Sequence, residues 1–576
     1  MARGSLIKCL TGLLILQDAL CTPVTSKERY PSPPVLGQGH RGAVASESDI
    51  CSHIGIDLLK MGGNAADAMV GTVACVGVVG MYHSGLGGGG FMLVRAPNGT
   101  YEFIDFRETA PAAAFEDMYK DNVDASISGG LASGVPGEIR GLQRLHENYG
   151  VLPWATVLTP AVKVARYGWR VNEDLVKYMA SATSSSNFLV DNLEFALDFA
   201  PKGRLLKLNE TITRKRYANT LETIAQEGPD SFYKGPIAEA TIRALQAANG
   251  TMTLDDLANY TVAIRKPSTI TYRDYKLTAC SAPSGGEVAL SSLKIMEGYS
   301  KVGDPSDINL TTHRLDESMR FAYAMRSELG DPLFVKGMNE YQEQMLSAAT
   351  AKEIRGKISD TKTFDIAYYN PAGLESLETP GTSHVVTADA SGMAVTLTTT
   401  VNLLFGSKLV VPETGVIMNN EMNDFSIPNT TNAFGYIPSA ANFIRPGKRP
   451  LSSIAPVIVE HLNSTIANAF YVAIGAAGGS RIITATIQNL IHILDGNLTT
   501  AEALAEPRIH DQLVPAQVGF EYAFDNSTTA FLRDLGANVT WVAPGASTAQ
   551  GLRKLANGTF EAAGEPRQKN SGGFVV

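Results

Sequence analysis

Two strand-like runs late in the chain, His384–Ala388 and Met393–Thr400, flank the turn residues Asp389-Ala390-Ser391-Gly392. No other feature constrains the fold as strongly. Runs rich in β-branched residues on either side of a short glycine-ended connection read as an antiparallel hairpin. If Ala390-Ser391-Gly392 is a three-residue loop with Gly392 in the left-handed region, Asp389 pairs with Met393, and counting back sets Thr382 opposite Thr400. A two-residue loop shifts that facing by one position. Further strands are expected at Phe91–Ala96, Tyr101–Phe106, Leu409–Met418 and Phe470–Ile474, with a helix from Arg481 to about Leu494. Residues 110–370 read as mostly helical, broken by Pro and Gly loops. Helices around long antiparallel strands predict a layered α+β enzyme.

The 576 residues allow three to five ordinary domains or one large one. With 44% hydrophobic and 18% charged residues, wholesale disorder is excluded. Lys and Arg total 48 against 57 Asp and Glu, a net charge of −9, and there is no long basic run. Nucleic acid and anionic membrane surfaces are therefore not expected partners. Arg3 and Lys8, the apolar stretch Cys9–Leu16 and Ala19-Leu20-Cys21 have the order of a secretory signal over residues 1–21, followed by a Pro/Ser-rich leader over 22–38. The apolar stretch is shorter than the roughly 20 residues that span a bilayer. Sequons at Asn98, Asn209, Asn249, Asn259, Asn309, Asn429, Asn463, Asn497, Asn526, Asn538 and Asn557 also point to export. Extracellular release is the first expectation; an uncleaved N-terminal anchor or an internal lytic compartment is the alternative.

Without Cys9 and Cys21, three cysteines remain, Cys51, Cys75 and Cys280, enough for one disulfide and one free thiol. Ser46 or Ser48 caps a helix running to about Met61, and a second, small-residue helix runs from Ala65 toward Val79. Cys51 and Cys75 thus sit on consecutive helices. Gly85 to Gly90 satisfies G-x-G-x-x-G, but a helix precedes the glycines and a strand follows, the reverse of a dinucleotide fingerprint. Ser291-Ser292-Leu293-Lys294 matches S-x-x-K without the accompanying motifs of that class.

Five stretches carry groups suited to chemistry. Thr382, at the start of the hairpin, faces Thr400, and Asn402 shares the Thr400 face; the threonines 396, 398, 399 and 400 are equally those of any strand. Ala473-Ile474-Gly475-Ala476-Ala477-Gly478-Gly479-Ser480 leads through glycines into a helix N-terminus, which suits an oxyanion or is simply a tight turn. Ser452 and Ser453 follow the basic Arg445, Lys448 and Arg449. Asn419-Asn420-Glu421-Met422-Asn423-Asp424 follows a strand, and Arg107 ends another.

Across these stretches the sequence resembles the gamma-glutamyltranspeptidases, members of the N-terminal-nucleophile hydrolases. The matching text includes Gly62-Gly63-Asn64-Ala65-Ala66-Asp67-Ala68, Ser84-Gly85-Leu86-Gly87-Gly88-Gly89-Gly90-Phe91, Asp105-Phe106-Arg107-Glu108-Thr109-Ala110-Pro111, Ser133-Gly134-Val135-Pro136-Gly137, Gly381-Thr382-Ser383-His384, Asn419-Asn420-Glu421-Met422, Pro446 through Ser453 and Gly475-Ala476-Ala477-Gly478-Gly479. The resemblance implies a four-layer αββα sandwich made as one precursor that cleaves itself before Thr382, giving a large subunit (39–381) and a small catalytic subunit (382–576) that stay together as a heterodimer. It implies Thr382 as nucleophile with Thr400 hydrogen-bonded to it, and Gly478 and Gly479 as oxyanion hole. Arg107, Ser452 and Ser453 would hold the substrate α-carboxylate, and Asn402, Glu421 and Asp424 its α-amino group. A Cys51–Cys75 disulfide is implied as well. Glutathione and other γ-glutamyl compounds are the implied donors and amino acids, peptides or water the acceptors, with no cofactor. Asn423 departs from the usual acidic residue, which predicts a less negative amino-group pocket, and residues 428–448 match the place of a lid. The competing readings are a self-processing amide acylase of the β-lactam acylase type and an inactive glycosylated binding homologue.

Overall fold

The connection after Asp389 closes as a three-residue loop. Gly392 takes φ +86°, the Asp389 N–H donates to the Met393 carbonyl at 3.0 Å, and the Asp389 carboxylate accepts from the Ser391 N–H at 2.9 Å. The register that follows sets Thr382 opposite Thr400, as counting from the loop predicts. The computed structural model describes residues 39–372, 381–428, 438–465 and 469–576. The signal and leader segments, Asn429 and much of the expected lid lie outside the described residues.

Two large antiparallel sheets are built, among the described residues, from strands β1 (Gly42–Ser46), β2 (Gly89–Arg95), β3 (Tyr101–Asp105), β4 (Ala263–Arg265), β5 (Ser268–Tyr272), β6 (Tyr275–Ala279), β7 (Gly381–Asp389), β8 (Ala394–Asn402), β9 (Val457–His461), β10 (Phe470–Ala477), β11 (Thr548–Lys554), β12 (Phe560–Ala563) and β13 (Gly572–Val575). The first sheet has the order β13-β1-β7-β8-β2-β3-β4 and the second β12-β11-β10-β9-β6-β5. Residues before Thr382 and residues after it supply strands to both sheets, so neither stretch completes a sheet alone.

The principal helices are α1 (Asp49–Lys60), α2 (Ala65–Val79), α3 (Glu138–Tyr149), α4 (Gly286–Met296), α5 (Ile308–Arg326) and α6 (Arg481–Leu494). Helices α1 and α2 cover the outer face of the first sheet, and α4 and α6 cover the second, with β10 packed on β7 and β8 between them. This is the four-layer αββα arrangement. Side-chain alternation follows from it: Val385, Val395 and Leu397 join the core under α2, whereas Val386, Ala388 and Ala394 join the core between the sheets. Helices α2 and α6 have the limits expected from the sequence. Asn64 and Asp67 form a reciprocal capping box at the start of α2, and the small residues of that helix let it be buried all round. Ser48, not Ser46, caps α1. A disulfide joins Cys51 of α1 to Cys75 of α2; Cys280 is free and buried.

Two expectations are corrected. Leu409–Met418 is not a strand: Val410 bridges Ile417 around a turn at Pro412–Thr414 with Gly415 at φ +67°, because Pro412 has no N–H to give a ladder. Residues 110–370 are not helix and loop alone, since β4, β5 and β6 join the sheets. Of the sequon asparagines within the described residues, Asn309 is half-buried and the others are exposed.

Candidate active site

The site grows from the open end of the β7–β8 hairpin. Thr382 is buried, 4% exposed, on the face toward the second sheet. Opposite it, the Thr400 hydroxyl donates to the carbonyl of Gly381 at 2.6 Å and accepts from the Asn402 N–H at 2.7 Å. In the continuous chain, then, the Thr400 hydroxyl bonds the carbonyl of the peptide before Thr382 instead of the Thr382 hydroxyl that the resemblance implied. A register slip between Thr400 and Asn402 and a φ of +76° at Asn402 mark a bulge, a device that re-aims side chains at strand ends. It turns the Asn402 amide so that its Nδ2 donates to the Asn420 carbonyl at 2.9 Å. Its buried Oδ1 is left without a hydrogen-bond partner among the described residues.

The other threonines separate cleanly. Thr398 Oγ1 lies 2.7 Å from His384 Nδ1 and Thr396 Oγ1 lies 3.2 Å from His384 Nε2, satisfying a ring whose pKa burial lowers to about 3. The Thr399 hydroxyl, on the opposite face, donates to Glu138 at 2.8 Å. Thr400 alone of this run reaches the Gly381–Thr382 junction.

Arg107 follows β3 and is 1% exposed. Its N–H donates to Asp105 at 3.0 Å, and its carbonyl accepts from the Tyr260 hydroxyl at 2.8 Å. The guanidinium is ion-paired through Nη1 with Glu421 and through Nη2 with Asp424. The residues assigned by resemblance to opposite ends of a substrate thus hold each other. Burial opposes the charge on Arg107, but Glu421, Asp424 and Glu108 outweigh it and raise its pKa. Burial likewise raises Glu421 well above the ordinary carboxyl range, against the pull of Arg107 and with the push of Glu108 and Asp424.

Glu108 was missed by sequence reasoning. It is fully buried, and its pKa is raised to about 8, by burial first and against the pull of Arg107. Its signal was present: it directly follows Arg107 within the matching motif. Asn423 donates to Ser126 at 2.8 Å, and Glu108 is a third carboxyl group beside Arg107.

Asn442 links this cluster to Leu451, the residue before Ser452: it donates to the Asp424 carbonyl at 2.7 Å and accepts from the Leu451 N–H at 2.9 Å. Arg326 donates to Ser453 Oγ at 3.2 Å. Arginine only donates, so Ser453 accepts there and keeps its own proton for an anion. Gly478 (φ +121°) and Gly479 (φ +60°) turn the chain from β10 into α6, and a Cβ on Gly478 would collide with the Ala546 carbonyl. Their N–H groups belong to the corner between β10 and α6. Among the described residues no cluster of His, Cys, Asp and Glu could hold a metal.

Comparison with known proteins identifies the chain's relatives. The family model described as gamma-glutamyltranspeptidase matches residues 51–575. The chain is 55% identical to a glutathione hydrolase proenzyme of Arthroderma benhamiae over 94% of each chain. It is 51% identical to a glutathione hydrolase of Aspergillus flavus over 93% of this chain and 89% of that one. Among solved structures, a cephalosporin acylase from Bacillus halodurans superposes with a TM-score of 0.82 at 27% identity, covering 97% of this chain and 99% of that chain. A Helicobacter pylori gamma-glutamyltranspeptidase gives 0.53 at 30% identity, covering 57% of this chain and 93% of that chain. The chain belongs to the gamma-glutamyltranspeptidase family.

Proposed function

We propose that this protein cleaves the γ-glutamyl amide of glutathione and related compounds and passes the γ-glutamyl group to water, an amino acid or a peptide. The observation that carries the reading is the buried Arg107 guanidinium paired with Glu421 and Asp424, with Asn420, the residue before Glu421, bonded to Val401 and Asn402 just past Thr400. A γ-glutamyl group carries one carboxylate and one ammonium on a single carbon. It can therefore take the place of each partner in that pair, giving its carboxylate to Arg107, Ser452 and Ser453 and its ammonium to Glu421, Asp424 and the vacant Oδ1 of Asn402. Each such charged contact is worth roughly 2–5 kcal/mol when one partner is removed.

Maturation comes first. Thr382 Oγ attacks the Gly381 carbonyl, whose oxygen already accepts from Thr400. As the C–N bond breaks, the nitrogen gains a proton and becomes the Thr382 α-amine, and water hydrolyses the resulting ester to a Gly381 carboxylate. The products, 39–381 and 382–576, stay together as a heterodimer because their strands interleave in the first sheet and pair through β9 and β6 in the second. In turnover the new amine, with an ordinary pKa of about 7.7–8.0, takes the Thr382 hydroxyl proton. The oxygen attacks the γ-carbonyl, the oxyanion turns to the Gly478 and Gly479 N–H groups at about 3 kcal/mol per donor, and the amine leaves protonated. An acceptor then releases the γ-glutamyl ester from Thr382.

The test is denaturing mass analysis of purified, deglycosylated protein before and after a glutamine-analogue affinity label. Two chains, the smaller beginning at Thr382 and carrying the label there, are expected. A single intact, unlabelled chain overturns the reading. The likeness to a cephalosporin acylase favours a second reading, an amide acylase indifferent to Arg107. An unchanged KM for γ-glutamyl anilides in Arg107→Ala would favour that one. We also propose entry into the secretory pathway, with residues 1–21 as signal. The exposed sequons and the Cys51–Cys75 disulfide support an oxidising destination.

A further inference from the structure

Cleavage before Thr382 frees a strand end, and free chain ends fray unless tied down. Strand β1 pairs with β7 only from Val386 to Asp389. Residues 382–385 therefore have β8 as strand partner on one side, while the β1 side is open. There the residue after β1 takes over. Glu47 Oε1 accepts from the Ser383 hydroxyl at 2.5 Å, and Oε2 lies 2.7 Å from His83 Nδ1 and accepts from Gln568 Nε2 at 3.2 Å. All four side chains are buried. The His83 carbonyl in turn accepts from the Val401 N–H at 2.9 Å, one residue past Thr400. One cluster thus grips β7 beside Thr382 and β8 beside Thr400.

The cluster is specifically accommodated. A Cβ on Gly80 would collide with Glu47 Oε1, so glycine there leaves the carboxylate its place. Ser383 and Thr382 project to opposite faces of the strand, so the tie pulls from the helix side and leaves the substrate face clear. Glu47 and His83 precede the cleavage point and Ser383 and Gln568 follow it, so the tie joins the two chains once the bond is cut.

We propose that Glu47 is a positioning residue that, through Ser383, holds the freed Thr382 terminus in line for attack. The proposal rests on Thr382 being the nucleophile. Ser383→Ala removes the tie while keeping Thr382 and the Glu47–His83 contact. A displacement of about 1 Å at a reacting group lowers rates about a hundredfold, so kcat for a γ-glutamyl anilide should fall by about ten- to a hundredfold. KM should stay within about twofold, because the residues assigned to substrate charges are untouched. Aminopeptidase should then remove Thr382 from the variant's small chain, read by intact mass, and leave the wild type whole. Ser383→Thr keeps the hydroxyl and should restore both kcat and protection.

A folded Ser383→Ala precursor that melts like wild type but cleaves about tenfold slower or worse would be the same failure of placement one step earlier. If Ser383→Ala does not fold, Glu47→Asp, which draws the carboxylate back by one methylene, is measured in the same way. Wild-type kcat with a protected Thr382 in the folded variant overturns the proposal, as does equal loss in Ser383→Thr. The glutamine-analogue label separates the two levels. A wild type unlabelled at Thr382 refutes the nucleophile itself, whereas a labelled wild type with an indifferent Ser383→Ala refutes only the tie.

Discussion

Arg107→Ala tests the charge exchange directly. The guanidinium is 1% exposed and divides its two ends between Glu421 and Asp424. Removing it takes away the partner of a substrate carboxylate, worth roughly 2–5 kcal/mol, so kcat/KM for a γ-glutamyl anilide should drop roughly 30- to 4,000-fold, mostly in KM. A second effect has a definite sign. Burial raises the Glu421 carboxyl, and Arg107 is the group that draws it down. Without the arginine, Glu421 keeps its proton to higher pH and loses its attraction for the substrate ammonium, so the variant's KM should fall as pH rises. Arg107→Lys offers one point charge where the fork served two partners and should lie between the extremes. The control is a 4-aminobutyryl anilide, which keeps the ammonium and lacks the α-carboxylate. Assayed in alkaline buffer, it should lose far less from Arg107→Ala than the γ-glutamyl anilide does. If both substrates lose equally, Arg107 acts through the architecture of the site and the exchange argument is wrong.

Thr400→Val keeps the shape and removes the hydroxyl that donates to Gly381. Precursor should accumulate, with cleavage slowed about a hundredfold on a gel time course; wild-type cleavage would exclude Thr400 from maturation. Glu138→Gln should stabilise the protein at neutral pH. Burial raises the Glu138 carboxyl pKa to about 8 despite the Thr399 bond, so the unfolded chain releases this proton above its ordinary range while the folded chain keeps it. Stability is then lost as pH climbs from about 4.5 to about 8, reaching about 3 kcal/mol at neutrality as an upper value. The melting advantage of the variant should vanish in acid, and a pH-independent advantage would refute the assignment. Replacing Cys51 and Cys75 by serine opens a link of sequence separation 24 and should lower unfolding stability by about 3 kcal/mol, read from the denaturant midpoint.

What the sequence by itself determined is local. The glycine-ended loop set the β7–β8 register, and so the facing of Thr382 and Thr400, because hairpin pairing follows from a turn within a few residues. The limits of α2 and α6 were legible for the same reason: a cap, a glycine turn and an apolar period lie in the chain itself. Arg107 and Glu421 were read as partners of a substrate only through the family resemblance, since no periodicity relates residues more than three hundred positions apart.

The tertiary structure alone decided which buried groups meet. Strand propensity made Thr396, Thr398, Thr399 and Thr400 equivalent; packing sent two to His384, one to Glu138 and one to the Gly381 carbonyl. It turned Asn423 toward Ser126, buried Glu108 beside Arg107 and set Glu47 against Ser383. A carboxylate in a sequence reads as a solvated charge. Its burial, and with it its protonation and its partners, depends on the elements that the whole fold lays over it.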